Sequence, residues 1–400
     1  MPIREAQSRS SWEFSFADVE QAPCRGPRCN RVDSPVFSDG QSDRFRSIFR
    51  SFSGEKRTDV VNRRGISRRQ RGGTATSVTS APRRAPVAVV ALTLLVASCG
   101  TPLTSWLAPT GRNHPLADRI WGVQAGSFVA PPELVDRLAA ARFVLLGERH
   151  DNPAHHALQA RLLRGMIAAG RRPAVGFEML STDDASAIAR YLASSPKEAS
   201  GLGEAVDWKR SGWPDWRLYE PIAQAALDAG LPIVATNLSR VAIEAIRRNG
   251  LAGLSGQLAR QLGLELPLSP EMREAMRREL DESHCGTMDG VALERMVDIQ
   301  WARDARMAEA LVRGGQRDGA LLIAGAGHVR TDRGVPLHLQ RRAPSVPVVS
   351  LAFLEVEATA DAPAAYAARF EGALPFDYVW FTPRVDDVDP CSRRRAYLLD

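Results

Sequence analysis

The sequence predicts an α/β fold: a mostly parallel sheet with helices on both faces and a helical cap insertion. Three observations carry that reading. Short apolar runs recur at 143–146, 174–178, 233–236 and 320–324, each too short for a helix and closed by glycine or a polar residue. Helical patterns long enough to serve as crossovers separate them, which is the signature of parallel strands covered on both sides. Several of the runs also end in side chains that bind protons, and the edge beyond the carboxyl ends of parallel strands is where open sheets hold ligands.

The elements follow in order. Pro131-Pro132 starts a helix over 133–141 that leads into the strand 143–146. Gly147 closes that strand, and a helix over 154–169 ends at Gly170. The run 174–178 is the second strand, followed by helices over 183–193 and 218–229, the latter closed by Gly230. Residues 233–236 form a third strand ending at Asn237, after which Ser239 caps a helix to Asn249 that Gly250 terminates. From 251 to 317 the pattern is helical throughout, with one helix from Pro270 to Ser283 and a long one from Gly290 to Val312. This insertion reads as a cap on the sheet. The strands 320–324, 346–354 and 378–381 complete the set.

Ahead of residue 116 the chain changes character. Residues 1–98 carry 17 Lys/Arg against 9 Asp/Glu, while the remainder carries 35 against 37, so the net +6 belongs to the N-terminal extension. The main body therefore shows no charge that fits a polyanion, which speaks against a nucleic-acid partner. Residues 1–80, rich in Arg, Ser and Gly, read as a disordered extension. Arg83 and Arg84 then precede an apolar run from Val87 to Val96 that ends in Val96-Ala97-Ser98-Cys99. Charge, short apolar core and small-residue cleavage site make residues 81–98 a secretory signal, too short to span a bilayer as a helix. Cys99 after Val-Ala-Ser resembles the bacterial lipobox, which implies a lipid on its thiol. A signal that begins this far into the chain implies a translation start near Val78, with the preceding residues a mis-assigned extension. Residues 99–115 read as a tether, 116–385 as the folded domain and 386–400 as a tail. After removal of the signal, Cys285 and Cys391 remain besides Cys99, and one disulfide between them is compatible with an oxidising compartment.

The chemistry concentrates in FVLLGERHDNPAHH, residues 143–156. Glu148 and His150 end the first strand, Glu178 the second, and His328 follows the fourth in Gly325-Ala326-Gly327-His328. Both histidines close a Gly-x-x-His turn, where glycine permits a sharp bend or a close approach. Two carboxylates and two imidazoles at one edge fit a divalent ion such as Mn or Zn, or an acid–base pair. Arg303 shares a helix face with Gln300 and Asp304, and either joins a structural ion pair or meets a ligand's acid group. His284 ends the preceding helix beside Cys285, where it is expected to reach toward the site. Trp208, Trp213, Trp216 and Tyr219 form the densest aromatic group, either a lid or a surface for a flat apolar ligand.

The stretches LLGERHDNPAHHALQ, AVGFEML, WPDWRLYEPI, PIVATNLSR, HCGTM, QWARDARMAEAL and IAGAGHVRTDRGVP together resemble the ChaN family of haem-binding lipoproteins in the Tiki superfamily. The resemblance covers about residues 116–385. It implies a three-layer α/β/α fold, a lipid anchor on a membrane surface in the cell envelope, and non-covalent haem binding for iron acquisition. It further implies a homodimer sharing haem and an outer-membrane haem receptor as partner. Tyr219 is the expected iron ligand, being the tyrosine inside a matching motif. Trp216, Arg303, His155, His156 and His284 are the expected surroundings of haem. Related Tiki proteins are metal-dependent proteases, and the resemblance equally implies that reading for Glu148, His150, Glu178 and His328.

Overall fold

The computed structural model describes residues 107–389 and 391–392. The expected extension over 1–80, the signal at 81–98 with Cys99, the first part of the tether and most of the tail lie outside the described residues. The expected α/β architecture is present. A hairpin, β1 (Ile120–Gly122) and β2 (Ser127–Val129), precedes α1 (Pro131–Ala140) and β3 (Phe143–Glu148). Then come α2 (Pro153–Ala168), β4 (Ala174–Ser181), α3 (Ala185–Ala193), α4 (Ser200–Ala205), α5 (Trp216–Asp228) and β5 (Ile233–Asn237). The cap follows as α6 (Arg240–Asn249), α7 (Gly256–Leu262), α8 (Pro270–Ser283) and α9 (Gly290–Gly314). The chain closes with β6 (Ala320–Gly325), α10 (Val335–Arg342), β7 (Val348–Glu355), α11 (Pro363–Tyr366) and β8 (Tyr378–Thr382).

One eight-stranded sheet runs in the order β2-β1-β8-β7-β3-β6-β4-β5. Its six strands from β8 to β5 are parallel, and the edge hairpin is antiparallel. The residues of β3 and β6 are buried along their whole length, as expected of strands covered on both faces. One core packs α1, α2 and α5 on one face through residues such as Leu138, Leu162 and Ile222. A second packs α9 and α10 on the other through Met307, Leu311 and Leu339. The cap has its own apolar cluster, with Ile246, Leu262 and Trp301 at its centre.

This topology places the site. β3 and β6 are neighbours. The chain leaving β3 turns into α2 on the first face, whereas the chain leaving β6 turns toward α10 on the second. The outgoing loops part there and open a crevice at the carboxyl edge. α9 is 25 residues long, about 37 Å at ~1.5 Å per residue. Its carboxyl half packs on the sheet through Met307 and Leu311, while its first half packs in the cap through Val297 and Ile299, in one cluster with Met276 of α8.

Three features depart from the sequence expectations. Residues 107–115, taken as part of the tether, are packed into the fold: Ala108 is fully buried, and Thr110 and Arg384 exchange backbone hydrogen bonds at 3.1 and 2.8 Å. The tail is fastened as well, because Cys391 is disulfide-bonded to Cys285 at the end of α8. The hairpin β1–β2 and helix α10 were not foreseen. Strands of three residues carry no periodicity, and the hairpin coheres through a cross-strand Trp121–Phe128 ring pair with centroids 5.1 Å apart.

Candidate functional site

Four expected residues meet in the crevice: Glu148, His150, Glu178 and His328 are all buried at its floor. Glu148 is the last residue of β3. Its Oε1 lies 2.9 Å from His150 Nδ1 and accepts from the Tyr219 hydroxyl at 3.0 Å. His156 Nδ1 stands 3.2 Å from its second oxygen. Burial alone would raise the Glu148 carboxyl, but His156 and His150 outweigh it and hold it well below the usual carboxylate range. A firmly ionised Glu148 thus fixes the orientation of His150 through Nδ1 and turns Nε2 toward Glu178, 3.8 Å away.

Glu178 owes its position to an irregularity in β4. The β4–β5 register shifts between Phe177 and Ser181. Past that point the strand's carbonyls need other donors. Thr236 Oγ1 donates to the Phe177 carbonyl at 2.7 Å, and Asn237 Nδ2 donates to that of Glu178 at 2.8 Å. The Glu178 side chain then accepts from the Gly325 N–H at 2.7 Å and from the Arg303 guanidinium. His328 Nε2 is 3.3 Å from Glu178 Oε1, and its Nδ1 is 2.6 Å from Asp304 on α9. Burial works against a charged His328, but Glu178 and Asp304 outweigh it and raise it to about 9. Burial also opposes the charge on Glu178, and His328, Arg303 and His150 override it, leaving the carboxyl well below its ordinary value.

The site is therefore two carboxylate-anchored imidazoles, Glu148–His150 and Asp304–His328, facing one shared carboxylate. The glycines of the two Gly-x-x-His turns serve by size rather than by backbone freedom. A Cβ on Gly325 would stand 2.9 Å from His150 Nε2, and one on Gly147 would stand 2.3 Å from the Val329 side chain. Neither glycine is among those with positive φ.

Other expectations fare differently. Arg303 faces the site, but Glu178 already takes its charge, with Gln300 and Asn237 accepting at 3.1 Å. Tyr219 is fully buried beneath the floor, and burial and Glu148 push its phenol well above its ordinary value. A phenol that must lose its proton and its bond to Glu148 is not poised to ligate iron. Trp216 is a core residue that donates its ring N–H to the Ala199 carbonyl at 3.1 Å and packs on Trp208. The aromatic residue that does meet the site is Trp213, half-buried with its ring 5.0 Å from that of His150.

His155 and His156 point inward, into the protein. His155 accepts from the Arg149 N–H at 2.9 Å and lies 2.8 Å from Thr382 Oγ1; burial, reinforced by the charged His156, pushes it down to about 3. His156 donates to the His150 carbonyl at 2.9 Å; Glu148 overcomes its burial and raises its value. Both rings are buried, so neither offers a cation at the crevice surface. His284 closes α8, with Nδ1 donating to the Leu280 carbonyl at 2.7 Å, and no contact ties it to the site. The expected Mn or Zn site at Glu148, His150, Glu178 and His328 is not assembled: among the described residues no group of three or more His, Cys, Asp or Glu is arranged to hold a metal ion. The cause is physical. Glu178, the carboxylate that the two imidazoles share, is already neutralised by the Arg303 guanidinium and by His328 Nε2. Asp304 was placed on the Arg303 face but not foreseen as the partner of His328, and Asn237 was missed as a site residue.

The solved structures with a similar fold include ChaN of Campylobacter jejuni, described with cofacial haem binding. It is 23% identical over 65% of this chain and 95% of that chain, with a TM-score of 0.53, a likeness of fold. The type III effector HopBA1 is 13% identical over 63% of this chain and 92% of that one, with a TM-score of 0.36. Erythromycin esterase EreC in its open conformation is 16% identical over 66% and 81%, with a TM-score of 0.34. No curated protein matches the sequence. The model of the family described as haem-binding uptake, Tiki superfamily, ChaN, matches residues 134–339. That span takes in β3, β4, β5, β6 and the whole cap, with all four floor residues. The chain belongs to the ChaN family of the Tiki superfamily.

Proposed function

We propose that this chain binds haem non-covalently and serves iron acquisition from a lipid-anchored position in the bacterial cell envelope. Family membership is the observation that carries the reading. The signal pattern that ends at Cys99 and the Cys285–Cys391 disulfide support export to an oxidising compartment. No helix among the described residues is long and apolar enough to cross a membrane; in this proposal the anchor is a lipid on Cys99.

The residues at the crevice fit a flat ligand in part. Met296, Gln300 and Arg303 are half-buried on one stripe of α9, and Arg303 brings that stripe to the floor. Trp213 stands over His150. These two surfaces would contact the macrocycle, and His150, steadied through Nδ1 by Glu148, is the imidazole best prepared to meet iron. The haem is cargo here, delivered as an iron source. A homodimer sharing two haems and docking on an outer-membrane receptor completes the proposal.

A second reading has its own observation. Glu148–His150 is a carboxylate-steadied imidazole of the kind that takes a proton from water, and Asp304–His328 is an acid of raised basicity beside it. Hydrolysis by this pair, without the metal once expected, is the alternative. Haem titration of the purified protein, followed at the Soret band, separates the two. Saturable binding supports the carrier. A flat Soret band with ester or peptide cleavage lost in His150→Ala supports the hydrolase.

A further inference from the structure

On the same edge of the sheet, beyond β7 and β8, lies a cavity of about 460 Å³ that the crevice does not use. It is lined by Arg112, Asn113, His114 and Arg384, with Pro109, Val356 and Ala358 as apolar wall, and no acidic residue lines it. Gly111, in the left-handed region at φ +75°, turns the chain against Val356, whose side chain would stand 2.7 Å from a Cβ there. Only glycine fits that corner, so the Arg112–His114 loop is held close to β7.

Two of the lining side chains carry a buried N–H that makes no hydrogen bond among the described residues. His114 Nδ1 accepts from the Leu116 N–H at 3.2 Å, so the ring proton resides on Nε2. The side chain is 8% exposed, and its Nε2 has no hydrogen-bond partner among the described residues. Asp361 Oδ1 stands 3.3 Å away, out of alignment, on a side chain 77% exposed. Arg384 Nε is likewise buried without a partner among the described residues, while its terminal nitrogen pairs with Asp387, itself 66% exposed. Arg112 gives its Nε to the Ala108 carbonyl at 2.9 Å and remains exposed. A buried N–H without an acceptor costs free energy comparable to a lost hydrogen bond. Here both donors belong to side chains that line one hollow, one of them the Arg384 guanidinium itself, with the Arg112 guanidinium beside them.

We infer that this hollow is a binding site for a phosphate group, with the organic part of a phosphate ester against Pro109, Val356 and Ala358. Phosphate presents several acceptor oxygens to donors converging from separate elements, and its charge matches two arginines. Asp361 and Asp387, both largely exposed, would give way to it. The source of the phosphate is either a soluble ester or the headgroup of an anionic lipid.

Calorimetric titration of the purified chain with inorganic phosphate, at constant ionic strength held with chloride, tests the assignment. Saturable binding is expected, weakened at least about tenfold in Arg384→Gln and in Arg112→Gln. Arg112→Gln is the safeguard, since an exposed side chain can be changed without endangering the fold. Co-sedimentation with phosphatidylglycerol vesicles, against phosphatidylcholine vesicles, identifies the source: retention that Arg112→Gln abolishes assigns a lipid headgroup, and phosphate binding without retention assigns a soluble ester. Heat of binding no greater than for chloride, or wild-type affinity in either variant, would overturn the inference.

Discussion

Tyr219→Phe separates two roles for the one tyrosine at the heart of the WPDWRLYEPI segment. The structure makes it a positioning residue: its hydroxyl donates to Glu148 Oε1 at 3.0 Å from a fully buried ring. Removing that hydroxyl leaves the ionised Glu148 with His150 at 2.9 Å on the same oxygen and His156 at 3.2 Å on the other. A hydrogen bond to a buried charged group contributes about 1.5–3 kcal/mol, and part of that is lost because Glu148 keeps its imidazole neighbours. The expected cost is therefore about 2 kcal/mol, read as a lower urea midpoint with unchanged slope. Haem affinity, by Soret titration, should stay within about threefold of wild type. A variant of unchanged stability that has lost its haem would refute the reasoning and return Tyr219 to the iron.

The pH dependence of stability has a definite sign. His328, raised to about 9, contributes fully below about pH 6.5 and loses its contribution as pH rises through 9, and the raised His156 acts in the same sense. His155 and His338, held down to about 3, cost stability as pH falls from 6.5 toward 3, and the lowered Glu148 and Glu178 add to that loss below about 4.5. Urea denaturation across pH should thus peak near 6.5; stability that climbs steadily to pH 9 would contradict the buried His328 pairings. Gly325→Ala places a methyl 2.9 Å from His150 Nε2 and should cost about 1–3 kcal/mol by thermal denaturation, where a neutral outcome would mean that His150 has room to move. Cys285 and Cys391 are 106 residues apart, so reduction should lower stability by up to about 4 kcal/mol; identical denaturation midpoints with and without reductant would show that the bridge constrains nothing.

Much of the architecture was legible because parallel strands buried on both faces leave continuous apolar runs. Phe143–Glu148 and Ala320–Gly325 lie where those runs did, and the Ser239 cap holds its helix through the Ala242 N–H at 3.1 Å. The convergence of Glu148, His150, Glu178 and His328 was legible for the same reason: each ends or follows an apolar run, and parallel strands end on one edge. What the sequence concealed was orientation. His155 and His156 sit side by side with His150 in the segment, yet α2 turns both into the protein, and only the three-dimensional positions of Thr382 and Glu148 reveal it. Trp213 and Trp216 are equally aromatic in sequence. The first lies before α5 against His150, while the second points into the core toward Ala199. Asp304 found its partner across 24 residues of chain, a pairing that no local spacing encodes.

The central claim is that the crevice over Glu148 and His150 is where haem binds, and Trp213→Glu tests it most directly. Trp213 is half-buried at the rim with its ring 5.0 Å from His150, so the fold should tolerate the change while the apolar contact is replaced by a charge. Haem affinity measured at the Soret band should fall at least about tenfold, with the thermal midpoint near that of wild type. Wild-type affinity in Trp213→Glu would place the haem elsewhere on the protein and contradict the account.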